Sequence, residues 1–132
     1  MLLDKGANVN AQGGEYGNAL QAASARGDEQ VVKMLLDKGA NVNAQGGRYG
    51  NALQAASARG DEQVVKMLLD KGAVVNAQGG YYGNALQAAS YRGHEAVVKI
   101  LLDKGADINA QASEGGQEAV VKVLVAWDAK SS

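Results

Sequence analysis

The chain contains no cysteine and no proline. Without cysteine there is no disulfide framework and no thiolate metal site, so a reducing compartment and a cytoplasmic location fit the composition. The absence of proline suits a helical chain but leaves its turns without a common stiffener. Aromatic residues make up 5% of the sequence and phenylalanine is absent. A core built from what is left must use small side chains on closely packed elements. Charge of one sign is lacking too. Lys and Arg number 13, Asp and Glu number 14, and the net charge is −1. That balance gives no electrostatic pull toward nucleic acid or an anionic membrane. No apolar run approaches the roughly 20 residues of a membrane helix. The opening Met1-Leu2-Leu3-Asp4-Lys5-Gly6 meets charge and glycine too early for the apolar region of a signal peptide.

What the sequence does have is a period. Met-Leu-Leu-Asp-Lys-Gly-Ala begins at Met1, Met34 and Met67, and Ile-Leu-Leu-Asp-Lys-Gly-Ala begins at Ile100, a spacing of 33 each time. The 132 residues therefore read as one domain of repeated units, 1–33, 34–66, 67–99 and a shortened 100–132. The first two units differ only at Glu15 and Arg48. The third departs from the second at Val74, Tyr81, Tyr91, His94 and Ala96. In the fourth, Ala112 to Lys122 align with Ala89 to Lys99, so the equivalents of Gly79 to Ala88 are missing.

Each unit spells two short helices and a long turn. Asn18 is an N-cap with Gln21 in capping-box relation, and Ala19 to Ala25 form the first helix. Gly27 ends it in the left-handed conformation, and Asp28 caps the second helix. Val31, Val32, Leu35 and Leu36 supply an apolar stripe, and Gly39 stops the helix. The stretch from Ala40 to Gly50 has no helical period and reads as an extended turn or hairpin. Helices this short are unstable alone, so the units must stack on one another. The pattern predicts helix pairs near 18–37, 51–70 and 84–103 and a last helix near 113–126.

Chemistry-bearing motifs are missing. Gln12-Gly13-Gly14 lacks the Lys-Ser/Thr of a phosphate-binding loop, and no strand precedes it. His94 is the single histidine and sits in an inter-helix turn, which gives neither a zinc site nor a Ser-His-Asp set. Arg26-Gly27-Asp28 and Arg59-Gly60-Asp61 match an adhesion tripeptide, but Gly and Asp there are a helix stop and a cap. No catalytic, cofactor-binding or metal-binding residue is expected.

A 33-residue turn-helix-helix unit with Leu-Leu-Asp-Lys-Gly-Ala-Asn-Val-Asn-Ala resembles the ankyrin repeat, and the resemblance covers the whole chain. Asn18-Ala19-Leu20-Gln21 stands where that family commonly has Thr-Pro-Leu-His; Asn and Gln can replace Thr and His as cap partners. The Gly-Gly-x-Tyr-Gly-Asn-Ala-Leu-Gln-Ala-Ala-Ser wording is similar to long arrays in fungal immune-type receptors. The resemblance implies an all-α ankyrin-repeat solenoid of stacked helix-turn-helix units with extended turn loops. It implies a non-catalytic module that binds another protein through its turn tips and the concave face of its first helices.

The positions that vary between units map there. Glu15, Arg48 and Tyr81 share one turn position, and Ala25, Ala58 and Tyr91 share one position at the end of the first helix. With Tyr82 and Arg92 they make the expected partner-binding set. Tyr16, Tyr49 and Tyr82 recur in every full unit, a pattern typical of packing the turn. The near-identity of units also fits a consensus or engineered repeat scaffold without a native partner. No capping repeat is evident. Leu20, Val31 and Leu35 at one end, and Val120 to Trp127 at the other, predict end-to-end self-association or a last helix folded over the open end.

Overall fold

The computed structural model describes residues 8–108 and Val125. Six helices lie in order: α1 Ala19–Arg26, α2 Glu29–Asp37, α3 Ala52–Arg59, α4 Glu62–Asp70, α5 Ala85–Tyr91 and α6 Glu95–Asp103. They form the three expected pairs, one per unit, stacked as an all-α repeat solenoid. The expected last helix near 113–126, Trp127 and residues 1–7 lie outside the described residues. Val125 alone is described there, helical and exposed.

Caps start the helices where the sequence places them. The Asn18, Asn51 and Asn84 side chains accept from the backbone N–H of Gln21, Gln54 and Gln87 at 2.8–2.9 Å. Asp28 and Asp61 accept from Val31 and Val64 in the same way. Each first helix of units one and two ends on a left-handed glycine, Gly27 or Gly60. Gly60 has a second reason to be glycine, since a Cβ there would run into the His94 ring.

The capping box is only half made. The Gln21 side chain does not return to its own cap. Its Nε2 donates across the boundary to Gly46 O of the next unit at 2.9 Å. Gln21, Gln54 and Gln87 are fully buried. A buried amide is costly unless hydrogen-bonded, and the Gly46 carbonyl offers Gln21 a partner.

The core is one continuous cluster through all three pairs. Leu20, Leu53 and Leu86 of the first helices meet Val32, Leu35, Val65, Leu68, Val98 and Leu101 of the second. The first helices carry alanine and serine and pack on one another far more extensively than the second helices do. Small side chains on the first helices let them approach one another closely.

A second cross-link repeats at every described boundary. Asn43 Nδ2 donates to Gly72 O at 3.0 Å, while its Oδ1 accepts from Val74 N at 2.8 Å. Asn10 does the same to Gly39 O and Asn41 N, and Asn76 to Gly105 O and Asp107 N. One amide thus satisfies a glycine carbonyl just beyond the helix and the N–H two residues further on.

Asn43→Ala removes both hydrogen bonds at one boundary. It is expected to cost about 1–2 kcal/mol, read as a lower urea midpoint with unchanged slope. An unchanged midpoint would mean that the amide contributes nothing to stacking.

Candidate functional site

The turns end in tight tips. Gly46 and Gly50 form an antiparallel bridge, as do Gly79 and Gly83. Neighbouring tips are tied by backbone: Arg48 N donates to Glu15 O and Tyr81 N to Arg48 O, both at 2.9 Å. Gly47 and Gly80 fit beside this ladder because a Cβ on either would strike the backbone of Tyr16 or Tyr49. Glu15, Arg48 and Tyr81 therefore stand in one column with side chains in solvent. Arg48 Nη1 meets Glu15 Oε1 at 3.0 Å, with both side chains about 60% exposed. Such a pair contributes roughly 0–1 kcal/mol. It orients the tips more than it holds them.

Behind the tips lies a second column, of tyrosines. Tyr16 and Tyr49 stack with ring centroids 6.4 Å apart. Tyr82 is 7% exposed and packs with Ala58 and Ala88. Tyr81 meets it edge-on at 5.0 Å, and Tyr91 tilts against it at 5.6 Å. Both outer rings are more than half exposed, at 66% and 53%. Arg92 Nη1 donates to the Tyr82 hydroxyl at 3.2 Å. That hydrogen bond ties the cation to a buried ring and raises the Arg92 pKa above its ordinary value.

The eight residues expected to meet a partner fall into two groups. Glu15, Arg48, Tyr81, Tyr91 and Arg92 are exposed, whereas Ala25 is half-buried. Ala58 and Tyr82 are buried, at 2% and 7%. The tyrosine of the third unit lies over the alanine of the second, so these two shape the surface and offer a partner little area. A groove of about 720 Å³ opens beside them, lined by Ala25, Tyr49, Ala58, Arg59, Asp61 and Arg92 among others. Arg59 and Tyr49 were not among the expected contacts. Their recurrence at fixed unit positions was the available signal, but identity between units drew attention to the sites that differ.

His94 lies in the inter-helix turn, as its sequence position suggests, and reaches back to the preceding unit. It occupies the N-cap position of α6 without capping it. Its Nε2 lies 3.0 Å from Ala58 O of the preceding unit. A carbonyl only accepts, so Nε2 carries the proton. Among the described residues no group of His, Cys, Asp or Glu could hold a metal ion. No helix among them is long and apolar enough to cross a membrane.

Family comparison agrees with this architecture. A profile described as ankyrin repeats (3 copies) matches residues 47–112. A second, described as ankyrin repeats (many copies), matches 1–36 and 19–69. The chain belongs to the ankyrin-repeat family. No curated protein sequence matches it. Ankyrin repeats are generally protein–protein interaction modules, typically without catalytic activity of their own. In this ankyrin array the tip column and the aromatic corner around Tyr82 hold several of the positions that differ between units, with Val74 and Ala96 exposed elsewhere.

Burial separates the tyrosines by expected stability cost. Tyr82→Ala should lose about 3 kcal/mol, and Tyr81→Ala should stay within about 0.5 kcal/mol of the parent. Chemical denaturation of the two variants distinguishes them. Equal losses would contradict the packing of the Tyr82 ring into the array.

Proposed function

We propose that this ankyrin array is a non-catalytic binding module that engages a partner protein through its turn tips and the inner face of its first helices. One observation carries the reading. Among units otherwise nearly identical, Glu15, Arg48 and Tyr81 are brought into one exposed column by the backbone ladder of the tips. Core positions stay the same while this column changes charge and shape. Tyrosine and arginine, enriched at interface hot spots, occupy its third-unit end together with Tyr91 and Arg92. Binding needs no catalytic group, and the surface supplies exposed rings and a cation held on Tyr82 side by side.

A second reading rests on the near-identity of the units. An array whose first two units differ at a single position also suits a repeat scaffold with no native partner. Such a scaffold would show no preference for one face over another.

Photo-crosslinkers placed at Arg48 and at Lys66 separate the two readings, because Lys66 sits on the exposed side of a second helix. In a cell lysate the Arg48 probe should capture a discrete partner that the Lys66 probe does not. The Tyr81→Ala, Tyr91→Ala double variant should reduce capture about tenfold or more while leaving circular dichroism unchanged. Equal, diffuse labelling from both probes favours the scaffold reading.

A further inference from the structure

The third unit differs from the others in its charge as well as its aromatic content. Units one and two carry Arg-Gly-Asp between their helices; the third carries Arg92-Gly93-His94. In the second unit the Arg59 and Asp61 side chains converge over Gly27. Asp61 also accepts from Val64 N, and Glu62 stands in the first turn of α4. Both acids therefore face the positive end of a helix, which offsets their charge. The third unit keeps the first-turn acid, as Glu95, but has His94 where the second unit has Asp61. His94 is spent on Ala58 O. Among the described residues Arg92 meets no carboxylate; its one partner is the Tyr82 hydroxyl. Only one of its five N–H donors is used there, and the fork is held still by a buried ring.

Three of the five third-unit substitutions converge on this cation. Tyr81 and Tyr91 replace Arg48 and Ala58, and each ring rests against Tyr82. His94 replaces Asp61 and removes the neighbouring negative charge. The replacement of Arg48 by Tyr81 also leaves Arg92 as the fixed cation of this corner. The guanidinium is held on the Tyr82 hydroxyl, two exposed rings pack on the same tyrosine, and the groove alongside is lined by Ala25, Ala55 and Ala58 as well as Arg59, Asp61 and Glu62. A cation with free donors beside apolar rings suits a carboxylate next to a bulky apolar side chain.

We infer that the corner formed by Tyr81, Tyr82, Tyr91 and Arg92 captures an acidic segment of the partner protein. A carboxylate pairs with the Arg92 guanidinium, and an adjacent aromatic or aliphatic side chain lies on Tyr81 and Tyr91. This rests on the binding-module reading and adds the chemistry of the segment bound. Arg26, at the equivalent position of the first unit and followed by Asp28, does not serve the same purpose.

The test uses the full chain and three fluorescein-labelled peptides of equal length. One alternates Asp or Glu with Trp or Leu, one has every acid replaced by its amide, and one has every acid replaced by Lys. Anisotropy should show binding of the acidic peptide, with at least about tenfold weaker binding of the amide version and none of the lysine version. Arg92→Gln should weaken the acidic peptide about tenfold, and Arg92→Lys should recover only part of it because the planar fork is lost. Arg26→Gln should change it less than about twofold, and raising salt from about 0.05 M to about 0.3 M should weaken it. Circular dichroism of Arg92→Gln should match the parent. Equal binding of the acidic and amide peptides, no binding of any, or equal effects of Arg26→Gln and Arg92→Gln would overturn the inference. A partner captured through the Arg48 probe but indifferent to Arg92→Gln would also overturn it, and would leave the wider binding reading standing. Failure of that capture is a separate result, against the wider reading.

Discussion

An asparagine amide that reaches from one unit into the next fixes the register of the whole array. Asn10, Asn43 and Asn76 each hold the carbonyl of one glycine and the N–H of a residue two positions further on. The last turn of each second helix closes on its own following residues, and the asparagine of the preceding unit takes the glycine carbonyl just beyond it. The donor and the acceptor lie in one rigid planar group, so the two hydrogen bonds permit a single offset between neighbours. Burial of leucine and valine supplies most of the driving force, but apolar contact is non-directional and would tolerate other offsets. The amide, with the backbone ladder of the tips, selects one offset among them.

Once the offset is set, the remaining features follow in columns. Tips fall beside tips closely enough for Arg48 N–H to reach Glu15 O and Tyr81 N–H to reach Arg48 O. Tyrosines fall beside tyrosines, and each unit's ring lands near the alanines of its neighbour. The first helices come close because alanine and serine leave room. The exposed margin therefore carries its longer side chains at the tips and at the ends of the first helices. A surface of that kind can be changed at its margin without disturbing what lies below. Arg48 and Tyr81 occupy the same backbone site with the same hydrogen bonds, although one is paired with Glu15 and the other is packed on Tyr82.

The helices were legible from the sequence because their signals are local. Asn18 with its N–H partner three residues on, Gly27 and Asp28 all act within one turn of the chain. The period of 33 then implied stacking. What escaped was everything that passes between units. Gln21 reads as half of a capping box, and only the proximity of Gly46 redirects its amide. His94 reads as a turn residue, and the structure adds Ala58 O as its partner. The asparagine of Val-Asn-Ala looks like a turn former, although its presence in every unit, Asn109 included, was a cue to a shared task. At the candidate site the sequence pointed to the right columns. It could not separate Tyr81 from Tyr82, adjacent residues of one type of which one is exposed and the other buried. Burial there depends on alanines 24 positions before Tyr82 and six after it, which no local pattern reports.

Because each boundary is made by the same few groups, the units are interchangeable at their joins. If the second unit were deleted whole, Asn10 would meet Gly72 and residue 74 as Asn43 now does. Tyr82 would cover Ala25 in place of Ala58, and Tyr81 would stand beside Glu15. The one pairing lost would be that of Glu15 with Arg48. In genetic terms, recombination between the near-identical coding segments could shorten or lengthen the gene by whole units and still produce a chain that folds. Selection could then act on the number and order of tips without first having to repair a core.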